Sequence, residues 1–114
     1  MPDKDGCREL SPRECSDLLS RDLERPCCIL DVRTAEEFRG GHLIGAEHLD
    51  FYRPDFRQCI EQKDRAIRYL VYCRRGMRGR KTMELMCQCG FPDVVNIRGG
   101  YENWVSERLP VQND

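Results

Sequence analysis

The sequence predicts an α/β fold in which a parallel sheet is covered by helices on both faces. Residues 28–32, 69–72 and 94–97 are short, almost wholly apolar runs without polar alternation, the pattern of strands buried on both sides. Helical periodicity and helix-capping signals fall between these runs, and glycine or proline marks most of the changeovers. Strands alternating with helices argue for parallel pairing. In sheets of that kind, ligands bind outside the carboxyl ends of the strands.

The elements follow in order. Ser11-Pro12-Arg13-Glu14 is a capping box with proline at the first helical position, and Leu10 can staple against Cys15. The helix it opens places Cys15, Leu18 and Leu19 on one face. Cys28-Ile29-Leu30-Asp31-Val32 reads as a strand entered through the vicinal pair Cys27-Cys28. Thr34-Ala35-Glu36-Glu37 repeats the capping pattern and opens a short helix that Gly40-Gly41 should end. Pro54 can start a helix with Phe56, Cys59 and Ile60 inward. Tyr69-Leu70-Val71-Tyr72 is a strand core. Thr82, Leu85, Met86 and Cys89 then form an amphipathic face stopped by Gly90. Val94-Val95-Asn96-Ile97 is a further strand. Gly99-Gly100 breaks the chain before a last helix faced by Tyr101, Trp104 and Val105 and ended before Pro110.

The 114 residues suit one domain spanning 1–114. Nineteen basic against twenty acidic residues leave a net charge of −1, so no global basic field exists to hold a nucleic acid. No apolar run approaches the ~20 residues needed to cross a bilayer, and Met1-Pro2-Asp3-Lys4-Asp5-Gly6 lacks the pattern of a signal or transit peptide. The expectation is a soluble, cytoplasmic protein without a membrane or nucleic-acid partner. Eight cysteines, at 7, 15, 27, 28, 59, 73, 87 and 89, invite a disulfide framework, but that inference needs a secretory context. No Cys-x-x-Cys pair occurs, and with only His42 and His48 elsewhere no metal site is expected. Cys87 and Cys89 point to different faces of a helix and make a poor chelate or disulfide with each other. Most of the cysteines read as small buried packing residues.

Cys73 is the exception. It leaves the end of a buried strand and enters a short loop with a central glycine, Cys73-Arg74-Arg75-Gly76-Met77-Arg78, beyond which a helix begins. Successive loop N–H groups can form an anion-binding nest to which the helix N-terminus adds its positive dipole end. Arg74, Arg75, Arg78, Arg80 and Lys81 place five cations within nine residues. All of this favours a thiolate over a thiol and an anionic substrate beside it.

Cys73-Arg74-Arg75-Gly76-Met77-Arg78 resembles the Cys-Arg-x-Gly-x-Arg active-site loop of rhodanese-type sulfurtransferases. Leu30-Asp31-Val32-Arg33, Glu37-Phe38, Gly41-His42-Leu43-Ile44-Gly45-Ala46 and Arg98-Gly99-Gly100-Tyr101 with Trp104 resemble further signatures of that family. They lie in order and at family-like spacing across residues 28–110. The resemblance implies a rhodanese-like, five-stranded parallel sheet flanked by helices. It also implies transfer of a sulfane sulfur, from thiosulfate or a similar donor to cyanide or a thiol, through a cysteine persulfide. Carried over, Cys73 is the nucleophile. The backbone N–H groups of residues 74–78 cradle the outer sulfur, and the side chains of Arg74, Arg75 and Arg78 are candidates to hold the donor's oxyanion end, with Gly76 and Met77 completing the substrate-binding loop. No metal or organic cofactor is implied. The partners are a small anionic donor and a thiol or cyanide acceptor, with a thiol-carrying protein as a further candidate.

Two rival chemistries are weighed against this one. Phosphatases and arsenate reductases of related fold use a wider Cys-x5-Arg loop, usually with histidine before the cysteine. Here the arginine comes at x4, Gly79 holds the x5 position, and Tyr72 precedes Cys73. A persulfide-carrier module serving a protein partner is the other alternative. Gly79-Arg80-Lys81 departs from the family pattern in being more cationic, with a glycine that weakens the first helical turn. His42 reads as structural, because a thiolate cradled by N–H groups needs no base. Asp31 and Arg33 read as an orienting ion pair, and Trp104 as core packing.

Overall fold

The computed structural model describes residues 6–21 and 23–113. Its elements are β1 (Cys7–Leu10), α1 (Pro12–Arg21), β2 (Cys27–Asp31), α2 (Ala35–Arg39), β3 (His42–Leu43), β4 (Glu47–His48), α3 (Phe56–Glu61), β5 (Arg68–Tyr72), α4 (Met77–Gln88), β6 (Val94–Ile97), α5 (Gly100–Ser106) and β7 (Val111–Gln112). Five strands form one sheet in the order β1-β6-β5-β2-β4, every pair parallel, and β3 pairs antiparallel with β7. Parallel neighbours demand crossover connections, which the helices supply. Among the described residues, no helix is long and apolar enough to cross a membrane.

The sheet sorts its side chains to two faces with the strand period of two. Leu30, Tyr69, Val71 and Val94 pack with Phe56 and Ile60 of α3 and with Met83 and Met86 of α4. Leu70, Tyr72, Val95 and Ile97 pack with Cys15 of α1 and Trp104 of α5. Strand β5, buried over all five residues, is the middle of the sheet. Cys73 therefore leaves a strand with neighbours on both sides and helices above and below it.

Both capping boxes form. The Ser11 N–H donates to Glu14 Oε1 at 2.8 Å while Glu14 N–H returns to Ser11 Oγ at 3.1 Å; Thr34 and Glu37 repeat the exchange at the start of α2. The structure departs from the sequence expectation at four points. The edge strand β1 was not foreseen; its Cys7-Arg8-Glu9-Leu10 carries two charges, and only pairing with β6 makes it a strand. The two-residue strands β3, β4 and β7 were likewise not foreseen. The inward face of α4 runs through Gly79, Thr82, Met83 and Met86, leaving Leu85 and Cys89 only partly buried, and Val105 on α5 is exposed.

The fourth departure concerns the cysteines. Only Cys15 and Cys73 are buried as free thiols, and Cys27, Cys28, Cys59 and Cys89 are half-buried. Cys7 and Cys87 form a disulfide that ties the edge strand to the last turn of α4, with Cα atoms 6.2 Å apart. Cys87 indeed makes no pair with Cys89; its partner lies 80 residues away and is brought to it by the packing of α4 beside β1.

Candidate active site

Tyr72 ends β5, and the chain turns through residues 73–76 into α4. Gly76 is the N-cap of that helix and sits at φ 115°, a left-handed conformation that suits glycine. The turn points its N–H back at the cysteine, and Cys73 Sγ accepts that hydrogen bond at 3.0 Å. The first-turn N–H groups of α4 lack intrahelical acceptors, as at any helix start, and the positive end of the twelve-residue helix dipole lies at the same place. A cavity of about 230 Å³, lined by Cys73, Arg74, Arg75, Met77 and Arg78, opens over the sulfur. Cys73 and the five loop residues singled out in the sequence, Arg74, Arg75, Gly76, Met77 and Arg78, thus share one turn.

The turn is held from behind by residues whose part in it the sequence did not disclose. The N–H groups of Tyr101 and Glu102, in the first turn of α5, donate to the carbonyls of Cys73 at 2.8 Å and Arg74 at 3.0 Å. Gly100 permits this approach: a β-carbon there would lie 2.5 Å from the Cys73 carbonyl oxygen and 2.7 Å from the Arg74 carbonyl group. Asn96, fully buried on β6, donates through Nδ2 to the Gly76 carbonyl at 3.3 Å and to Glu9 Oε2 at 2.9 Å, while its Oδ1 has no hydrogen-bond partner among the described residues. The glycine at 79 has a reason in the structure. Any β-carbon there would run into Asn96 Oδ1, so the glycine that weakens the helix makes room for the amide behind the loop. An asparagine within an otherwise apolar strand was the available sequence signal for this role.

The cations of the loop are not a free cluster. Arg78 makes two hydrogen bonds to the Glu37 carboxylate, at 3.0 and 3.2 Å. Hydrogen bonding from Arg78 pulls the Glu37 pKa down to about 2. Arg74 and Arg75 converge on Glu102 at 2.7 and 3.2 Å, and Arg80 is paired in two bonds with Glu9. Among the described residues, four of the five clustered cations therefore carry a carboxylate partner, contributed by β1, α2 or α5. Glu37 was visible in the sequence as part of Glu37-Phe38; its bond to a residue 41 positions away was not.

Around this centre the other candidates fall into supporting places. Asp31 and Arg33 form a buried ion pair at 2.8 Å, and Arg33 also donates to the Gly41 carbonyl at 2.6 Å and stacks its guanidinium 4.2 Å from the Tyr101 ring centroid. The Tyr72 hydroxyl donates to Asp31 Oδ2 at 2.6 Å and accepts the Leu43 N–H at 3.1 Å. His42 is buried, stacked on Phe38 with ring centroids 3.9 Å apart, and its Nδ1 lies 3.0 Å from the Phe38 carbonyl. Trp104 packs in the core and donates to the Pro110 carbonyl at 3.0 Å. Burial pushes the thiols of Cys15 and Cys28 up to about 12, so both stay protonated near neutral pH and are poor nucleophiles.

A cysteine at the carboxyl end of a central parallel strand, its sulfur bonded by a loop N–H just before a helix, defines a class of α/β proteins with a cysteine-bearing loop over the sheet. Within that class the chain belongs to the rhodanese-like domain family, which it matches over residues 11–107. It is 24% identical over 104 residues to a thiosulfate sulfurtransferase of Glaesserella parasuis, covering 91% of this chain and 92% of that one. It is 29% identical over 80 residues to an uncharacterized protein of Bacillus subtilis, covering 70% of this chain and 62% of that longer one. A rhodanese-related protein from Thermoplasma volcanium shares the fold, with a TM-score of 0.78 at 23% identity over 94% of this chain and 99% of that one.

Proposed function

We propose that the protein is a sulfurtransferase that carries a sulfane sulfur on Cys73. The observation carrying this reading is the Gly76 N–H bonded to Cys73 Sγ in a turn that reaches Arg78 at Cys-x4-Arg. The likeness to a thiosulfate sulfurtransferase supports the same reading. In the first half-reaction the Cys73 thiolate attacks the outer sulfur of thiosulfate. A new sulfur–sulfur bond forms, the bond to the sulfonate sulfur breaks, and sulfite leaves with the electron pair. In the second, cyanide or a thiolate attacks the outer persulfide sulfur, and Cys73 leaves as thiolate. The Gly76 N–H and the first-turn amides of α4 are placed to stabilise negative sulfur in both steps. Arg74, Arg75 and Arg78 line the cavity into which the donor's oxyanion must point; an anion there shares them with Glu102 and Glu37. The short loop weighs against a phosphatase or arsenate reductase.

The test is the intact mass, without reductant, after brief exposure to thiosulfate. The expected result is one added sulfur atom that maps to Cys73, disappears with cyanide, and is absent from Cys73→Ser. A folded protein with free Cys73 that gains no sulfur overturns the reading.

A further inference from the structure

Cys7 and Glu9 lie two residues apart on β1, so both side chains point to the sheet face that α4 covers. Each is fastened to that helix. Cys7 is bonded to Cys87 in its last turn, and Glu9 makes two bonds to Arg80 near its start. β1 is an edge strand with a ladder on one side, to β6, so these fastenings help to fix where it sits. That position reaches the candidate nucleophile. Glu9 stands in register with Asn96 and accepts its Nδ2 at 2.9 Å. The same Nδ2 donates to the Gly76 carbonyl at 3.3 Å, and the Gly76 N–H holds Cys73 Sγ at 3.0 Å.

Asn96 is not needed to satisfy either of its partners. The Gly76 carbonyl also accepts the Arg80 N–H at 2.9 Å, and Glu9 keeps its two bonds to Arg80. What the amide adds is a link from the edge strand to the loop. At the far end of that link, Cys87 is exposed and Cys7 half-buried, so the disulfide is open to a reagent in solution. Exposed disulfides are the ones that exchange readily.

Resting on the sulfurtransferase reading above, we propose that the Cys7–Cys87 disulfide is a second thiol-exchange site, open to a dithiol reductant, and that its opening slows sulfur loading on Cys73. One thiolate of the dithiol attacks Cys87 Sγ, a mixed disulfide forms, and Cys7 leaves as thiolate. The second thiol of the reagent then attacks the reagent's own sulfur in the mixed disulfide. The dithiol becomes a disulfide and Cys87 leaves as thiolate, so two electrons pass to the protein and the two new thiolates take up the protons the dithiol gave up. With the clamp open, β1 keeps its β6 ladder and the Glu9–Arg80 pair but loses the covalent tie beside them. Glu9 then holds Asn96, and through it the Gly76 peptide, less firmly.

The probe is dithiothreitol, applied to the folded protein and removed without air before thiosulfate is added. Opening is scored by alkylation mapped to Cys7 and Cys87, and loading by intact mass. The expected result is a pair that opens while the protein stays folded and a loading rate that falls about fivefold, the lower end of coupling between remote sites. The double variant Cys7→Ser/Cys87→Ser should load at the reduced parent's rate with or without prior dithiothreitol. Asn96→Ala, which orphans neither partner, should load equally in both redox states because the link is cut. A disulfide that stays closed in the folded protein overturns the proposal. So does equal loading by the oxidised and reduced parent, which marks the bond as a structural staple only, or a response to dithiothreitol that survives in the double variant or in Asn96→Ala. Each of these leaves the sulfurtransferase reading intact. Failure of every form to load persulfide overturns that reading, and the proposal falls with it.

Discussion

Replacing Gly100 with alanine is the sharpest probe of how the loop is held. The new β-carbon would sit 2.5 Å from the Cys73 carbonyl oxygen, against backbone that no side-chain rotation can relieve. The two segments must part by roughly 1 Å to reach ordinary contact. That separation breaks the Tyr101 and Glu102 N–H bonds to Cys73 and Arg74, each contributing about 1 kcal/mol. Holding an alanine in the left-handed conformation that Gly100 adopts, φ 64°, costs about 1–2 kcal/mol more. The sum is about 3–4 kcal/mol, which lowers the melting temperature of a domain this size by roughly 12–16 °C. A 1 Å displacement of the Cys73 carbonyl also misplaces the sulfur, and on the proposed function persulfide loading should slow by about 100-fold. The assays are thermal unfolding and the rate of persulfide formation by intact mass. Gly45→Ala is the control. It has a similar dihedral, φ 80°, but among the described residues nothing beyond its own chain neighbours lies within 4 Å of its β-carbon, so it should cost only the backbone strain, about 1–2 kcal/mol, and load at the parent rate. A Gly100→Ala protein that melts and loads like Gly45→Ala refutes the claim that α5 holds the loop.

Three further outcomes follow. Cys87→Ser opens a loop closed across 80 residues, worth about 4.5 kcal/mol on the chain-entropy estimate; its guanidinium midpoint should drop and become indifferent to dithiothreitol, whereas a parent midpoint unmoved by reductant contradicts this. Tyr72→Phe strips the partner from the buried Leu43 N–H and one bond from Asp31, for a loss of about 2 kcal/mol in urea denaturation; unchanged stability would show that those groups find other partners. The Glu37 pKa is lowered from 4.5 to about 2 chiefly by hydrogen bonding from Arg78. The stability this contributes is fully present above pH 4.5, where the unfolded carboxyl is already ionised, and is lost as pH falls toward 2. In Glu37→Gln, which keeps the capping box, the acid limb of a stability-versus-pH curve should flatten in that window; an identical limb removes the Arg78 bond as its source.

What was legible in the sequence was what short stretches determine. The capping boxes at Ser11 and Thr34, the buried strands around Leu30, Leu70 and Val95, and the turn from Cys73 to Arg78 declare themselves within a few residues. The illegible parts are set by tertiary packing. β1 is two charged residues between Cys7 and Leu10, and nothing local marks it as a strand until β6 pairs with it. The five cations near Cys73 read as a free cluster because Glu9, Glu37 and Glu102, which neutralise most of them, lie 71, 41 and 28 residues from their partners Arg80, Arg78 and Arg74. Gly99-Gly100 was readable as a break but not as a place where another loop presses close. The cysteine pair Cys7 and Cys87 is equally a product of topology.

The hydrogen bonds from Tyr101 and Glu102 to the carbonyls of Cys73 and Arg74 set an order of events during synthesis. The central strand and Cys73 leave the ribosome well before the residues that fasten them. Translation must pass residue 102 and extend by the length of the exit tunnel before the turn acquires its backing. A nascent chain therefore displays this cysteine with only local contacts to shape it, and the finished geometry of the turn arises only after α5 has been made.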